Sequence, residues 1–153
     1  MKEKGKTLQE VAAWVEKNKL HICHNVAVDD LNHLYRGGRL SRTSAVVGSM
    51  INIKPFIHMD ENGKLVPIGK VRGRKKSLNI LVDAMAEQIK GYEEENDVIM
   101  ISHGDCIEDA QYVAELVEEK MGVTNILINN IGTVIGSHTG PGVVAVFSMG
   151  QSR

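Results

Sequence analysis

Aromatic side chains are scarce in this chain: they make up 4% of its 153 residues, with one Trp, three Tyr and two Phe. Few rings are on hand for stacking bases, and Lys+Arg 18 against Asp+Glu 19 leaves a formal net charge of -1, which creates no global field for nucleic acid or an anionic membrane. A nucleic-acid partner is not expected. Cysteine is nearly absent as well. Cys23 and Cys106 lie far apart and make no CxxC pair, which fits a reducing, cytoplasmic setting better than a disulfide scaffold. No apolar run approaches the roughly eighteen residues of a membrane span, and no apolar stretch follows the basic start Met1–Lys6. A soluble protein without stable membrane insertion is expected. GxSxG, Walker A, HExxH and hydride-cofactor fingerprints are missing too, so no catalytic machinery and no cofactor is visible.

What is present is an aliphatic core in a chain long enough for one domain, since hydrophobic residues reach 42% with few rings among them. Thr7-Leu8-Gln9-Glu10 reads as a capping box that starts a helix over Leu8–Asn18, with Leu8, Val11, Ala12, Trp14 and Val15 as an apolar stripe. This helix stands alone at the front, and its stripe fits either a surface the chain does not contain or the domain's own sheet. A strand over His21–Val28 follows. Its His21-Ile22-Cys23-His24 splits across two faces and has no second cluster to complete a tetrahedral site, so no metal is expected. Asp29 is placed as N-cap of a short helix that Gly37-Gly38 ends. The Asn62-Gly63 turn joins antiparallel strands 53–59 and 64–71, whose prolines point to partial edge positions. A helix through Leu78, Leu81, Val82, Met85 and Ile89 ends at Gly91. Strand 97–102, a helix opened by Asp105 with Glu108 and closed by Gly122, and strand 124–129 make a β-α-β unit, and Val143–Ser148 is a last buried strand. The expected fold is a two-layer α/β sandwich, α+β-like, with a mixed sheet and helices mainly on one face.

Three stretches carry chemistry. Between Ile131 and Gly142 lie four glycines, one proline and His138, directly after the apolar Ile126–Ile128. Such a loop can aim several N–H groups and an imidazole at one carboxylate or phosphate, or it is only a turn between two strands. Arg36-Gly37-Gly38-Arg39-Leu40-Ser41 sets two guanidiniums around a diglycine, ahead of a helix opening near Ser41 or Thr43; it is either an anion site or a helix C-cap. The small residues after it allow a narrow apolar channel. Lys70–Lys76 carries five positive charges in seven residues, a solvated rim or a docking patch for an acidic or phosphorylated partner. His103 sits at a strand end, a site-like place that a merely packed histidine also occupies.

Asp29-Asp30-Leu31, Arg36–Ser41, Asn52-Ile53-Lys54-Pro55, Lys70-Val71-Arg72-Gly73 and Gly136-Ser137-His138-Thr139-Gly140-Pro141-Gly142, in this order and spacing, resemble the C-terminal half of the DegV family of bacterial fatty-acid-binding proteins. At Thr133 the family's proline is not matched. The resemblance implies a carrier rather than an enzyme. A long-chain fatty acid would be its ligand and a fatty-acid kinase its partner. Residues 1–20 would be the last helix of a missing N-terminal domain, and residues 21–153 the lipid-binding domain. By the same resemblance His138 would bond the carboxylate or acyl-phosphate and Arg39 neutralise it, with Ser137 and Thr139 in the ligand set. Val46, Ser49 and Met50 would line the tunnel, and Arg72 and Arg74 would dock the kinase. Two alternatives remain: an enzyme acting on a phosphorylated small molecule with His138 as general acid, or a truncated structural domain with an incomplete site, open to self-association through its uncovered interdomain face.

Overall fold

A computed structural model describes residues 1, 4–40 and 53–151. The expected helix at 41–50 and the tunnel residues Val46, Ser49 and Met50 lie outside them. Six strands form one sheet in the order β3-β2-β1-β6-β4-β5. They are β1 (Ile22–Ala27), β2 (Ile53–Met59), β3 (Leu65–Arg72), β4 (Ile99–His103), β5 (Ile126–Asn130) and β6 (Val144–Met149). Among the described strands β4 and β5 alone run parallel, joined by a crossover helix as the β-α-β pattern predicts. The helices are α1 (Leu8–Asn18), α2 (Leu31–Arg36), α3 (Arg74–Gln88), α4 (Ile107–Met121) and α5 (Thr133–Thr139). The mixed α/β sandwich is the expected one.

One face of the sheet carries the main core. Leu78, Leu81, Val82 and Met85 of α3, with Ala110, Val113, Leu116 and Val117 of α4, bury the period-3.6 stripes of both helices on Ala27, Ile99, Ile101, Val144 and Val146. On the other face a smaller cluster gathers Val28, Leu31, Leu34, Ile57 and Val143 under α2. The rest of that face is thinly covered. Met100 and Leu127, opposite each other on β4 and β5, stay about half exposed at 47% and 52%.

Several boundaries depart from expectation, each for a local reason. The Gly-rich segment is not an open loop. Residues 133–139 wind into the short helix α5, bounded by Gly132 in extended geometry and by Gly140 at φ +76, so its glycines delimit a helix. The N-cap of α2 is Asp30, whose carboxylate accepts from the Asn32 N–H at 2.8 Å, which leaves Asp29 for ion pairs. The Asp105–Glu108 cap does not form. Cys106 holds the N-cap position of α4 without a side-chain bond, Asp105 takes φ +53, and the Cys106 N–H donates to His103 Nδ1 at 3.3 Å. His21 leaves the strand for a 3-10 turn, where its Nδ1 lies 3.0 Å from the Gly150 carbonyl. Among the described residues no His/Cys/Asp/Glu cluster is placed to hold a metal, and no helix is long and apolar enough to cross a membrane.

Pro67 does sit on an edge strand, β3. Pro55 lies one residue beyond the β1 pairing, which ends at Phe56, so its missing N–H costs no ladder bond on that side. The α1 capping box forms as read, with Thr7 N–H donating to Glu10 at 2.8 Å and Glu10 N–H to the Thr7 hydroxyl at 3.3 Å. Its apolar stripe, however, finds no cover: α1 buries none of its residues, and Leu8 is 79% exposed.

Candidate functional site

Two glycine-bearing helix ends build the site. The C-terminus of α2 closes in a Schellman arrangement, with Arg39 N–H donating to the Leu34 carbonyl at 2.8 Å and Gly38 N–H to that of Tyr35 at 2.9 Å, while Gly38 takes φ +70. The turn sends Arg39 back beside the helix end, where its Nη1 donates to the Gly37 carbonyl at 2.7 Å. Helix α5 packs against α2, and the two exchange imidazoles. The His138 ring of α5 lies on Gly37, so close that a β-carbon there would strike Nδ1. The His33 ring of α2 lies in the same way on Gly140. Glycine is required at both positions by close approach. Gly37 thus joins His138, resting on its Cα, to Arg39, held by its carbonyl.

Beneath these helix ends lies an apolar cavity of about 480 Å³ over the thinly covered sheet face. Its floor is a cross-strand row, Val26 on β1 opposite Ala145 on β6 opposite Ser102 on β4, and the two small members supply depth. The next row contains His24 and Phe147, whose rings meet edge to face at 5.2 Å. Val28, Leu34, Ile57, Leu65, Ile131 and Ile135 complete the apolar wall, and Arg39 and Thr139 lie on the cavity's surface.

The expected site residues are only partly brought together. Arg39 and Thr139 line the cavity, although the Thr139 hydroxyl already donates to the Ile135 carbonyl at 2.9 Å. His138, in the last turn of helix α5, is not part of the cavity wall. Ser137 is exposed and donates to the Val134 carbonyl at 2.8 Å, away from the cavity. Arg72 is exposed at the end of β3, but Arg74 does not belong to an open basic patch. Its Nε donates to Asp109 Oδ2 at 2.9 Å and its Nη2 to the Gly142 carbonyl at 2.6 Å, with Asp29 Oδ1 3.6 Å from Nη1. The first residue of α3, it points into the body instead of outward. His24, Ser102, Ala145 and Phe147 also line the cavity, and the sequence signals only the small Ala145 within an apolar strand.

His103 is buried and faces a separate open hollow of about 590 Å³, with Asp105, Glu108 and Asn130, at the carboxyl ends of the parallel strands. Beside it the Cys106 thiol donates to the Val143 carbonyl at 3.3 Å, and burial pushes its pKa up, keeping it protonated, although Arg74 pulls the other way.

Fold and site together define a class: an α/β sandwich whose second sheet face is left open over an apolar cavity, with an arginine and a histidine at adjoining helix ends. The model of the DegV family, described as uncharacterised proteins, matches residues 1–151, and the chain belongs to that family. A DegV domain-containing protein of Clostridium perfringens is 46% identical over the whole chain, which spans 52% of that relative. A fatty acid binding DegV family protein from Streptococcus agalactiae is 31% identical, with a TM-score of 0.76 over 99% of this chain and 52% of that one. The fold also matches the Streptococcus pneumoniae Fatty Acid Kinase (Fak) B3 protein loaded with linoleic acid, with a TM-score of 0.84 at 20% identity over 95% of this chain and 50% of that one. The chain spans about half the length of the curated relatives it matches.

Proposed function

We propose that this chain is the lipid-holding part of a cytoplasmic fatty-acid carrier that binds a long-chain fatty acid and presents it to a fatty-acid kinase. The observation that carries the proposal is the apolar cavity opening beside Arg39 and His138. In such a site the tail supplies most of the affinity, about 0.8 kcal/mol per buried methylene, and a charge-assisted bond to the carboxylate adds about 1.5–3 kcal/mol. On this reading burial of the tail selects the ligand's class, and the helix ends would set its orientation and polarity. The relatives described as binding fatty acids, or loaded with one, support the same ligand. His138 donates to the carboxylate, Arg39 neutralises it, and Thr139 lies at the head of the tail.

The site is completed by a first domain that packs on the uncovered α1. Its arrival would bury Leu8, Trp14 and Val15, all exposed here. Kinase docking falls to Arg72 and its exposed neighbours Lys70, Lys75 and Lys76, since Arg74 is occupied. Chemistry on the phosphorylated head group belongs to the kinase, and the carrier itself is not an enzyme.

Organic extraction of the purified chain followed by mass spectrometry tests this. Stoichiometric long-chain acyl species are expected, reduced in His138→Ala. An empty cavity after expression in a lipid-replete host, or the same retention in the variant, counts against the assignment.

A further inference from the structure

Arg74 occupies a place that neither a solvated rim nor a docking patch explains. It begins α3, on the face of the sheet opposite the cavity's helices, yet its guanidinium reaches three other segments. It holds Asp109 on α4 through two contacts, Nε at 2.9 Å and Nη2 at 2.8 Å. It donates to the Gly142 carbonyl at 2.6 Å and stands 3.6 Å from Asp29. These last two residues root the two helices of the candidate site: Asp29 directly precedes the N-cap of α2, and Gly142 lies in the turn that ends α5.

The turn at Gly142 is tightly made. Gly142 takes φ +78, its N–H donates to the Gly104 carbonyl at 2.7 Å, and a β-carbon on it would stand 2.9 Å from the Asp29 side chain. Lys54 of β2 reaches the same Asp29 oxygen, Oδ1, more closely, at 2.9 Å. The roots of α2 and α5 are therefore pressed together, and one planar guanidinium reaches both, through a hydrogen bond to the Gly142 carbonyl and a longer, purely electrostatic contact from Nη1 to Asp29. A fork of fixed donors suits this task because it serves two acceptors in one plane, which a flexible ammonium does not.

From these contacts we infer that Arg74 is a positioning residue of the anion site: by bonding the Gly142 carbonyl to Asp109 of α4 and drawing Asp29 electrostatically it sets the spacing of α2 and α5, and with it the fit of the His138 ring on Gly37 beside Arg39. Arg74 does not touch the ligand. It also neutralises Asp29 and Asp109, two carboxylates that would otherwise oppose an incoming anion. The inference rests on the fatty-acid reading of the cavity and adds to it which residue holds the head-group geometry.

The test compares two probes of one chain length, palmitic acid and hexadecanol, titrated into the delipidated 153-residue chain and its Arg74→Ala and Arg74→Lys variants. The alcohol fills the cavity but lacks the charge. Arg74→Ala is expected to weaken the acid on the order of tenfold, the loss of one well-placed charge-assisted contact, with hexadecanol within about twofold. Arg74→Lys should lie between, because it keeps the charge without the fork. Should Arg74→Ala not fold, the lysine variant decides alone. Unchanged affinity for the acid, as a docking residue would give, or an equal loss for both probes, as a purely structural one would give, overturns the inference. Wild-type chain that binds neither probe overturns the fatty-acid reading and this inference together. Wild-type binding of both, with an Arg74 variant that loses neither, overturns the inference alone.

Discussion

The imidazole of His138 owes its place to the atoms Gly37 lacks. At ordinary van der Waals spacing a β-carbon is tolerated, but at Gly37 it would collide with a ring nitrogen, whereas at Gly38 nothing lies within 4 Å. The two neighbouring glycines therefore have different physical grounds, contact for the first and a φ of +70 for the second. Gly38→Ala should cost about 1 kcal/mol, the strain of a left-handed alanine. Gly37→Ala should cost more, about 2 kcal/mol, and that excess should largely vanish when His138→Ala is added, because the clash needs both partners. Denaturant unfolding of the four members of that cycle is the check; a strictly additive double variant would show that the ring does not rest there. The same contact explains what could be read in advance. Glycines and a histidine at 131–142, and arginines around Gly37-Gly38, signalled an anion-binding neighbourhood, but which glycine met which ring depends on packing two helices about a hundred residues apart in the chain.

At the scale of elements, local signals performed well where the cause was local. The capping box of α1, the periodic stripes of α3 and α4, and the hairpin at Asn62-Gly63 all depend on residues within one turn or a few positions, and all three form. The hairpin turn is fastened by Asp60, whose carboxylate accepts from the Lys64 and Asn62 N–H groups at 2.8 and 2.9 Å. The bond from Lys64, first among the causes, holds the Asp60 carboxyl below its ordinary pKa. A carboxyl lowered in the folded state stabilises the fold above the ordinary aspartate range near pH 4 and loses that contribution as pH falls through the lowered value. Amide exchange at Lys64 is therefore expected to speed up relative to the β4–β6 core on acidification below about pH 4, and Asp60→Asn should flatten that relative change. An unaltered ratio between the two regions in the parent chain would contradict it. Signals failed where a tertiary partner decided. Arg74 looked like one charge of a surface run, and only its reach to Asp29, Asp109 and Gly142 shows otherwise; Asp105 had the residue type of a cap, but His103 takes the Cys106 amide instead.

For the whole molecule, the sheet gives each of its faces a different use. The α3–α4 face is closed by aliphatic packing and accounts for the core, and the opposite face keeps a cavity that would otherwise be filled at the density of a protein interior. Fold class was legible because alternating strand and helix patterns report it directly. The cavity was not, because it arises from a register: Val26, Ala145 and Ser102 meet only when β1, β6 and β4 are laid side by side in an order unrelated to the sequence. The uncovered α1 belongs to the same scale, since its capping box is legible locally but its apolar stripe buries none of its residues.

Whether this cavity holds the acyl tail is tested by Ala145→Leu. The added carbons project into empty space on the floor, so the variant should be as stable as the parent or up to about 1 kcal/mol more stable, as cavity-filling changes commonly are. Palmitate titrated into both proteins, with thermal melts of the unliganded forms alongside, is the measurement. An unchanged or raised melting temperature together with affinity lowered about tenfold or more is expected; a variant that stays folded and binds palmitate as tightly as the parent would show that the tail lies elsewhere.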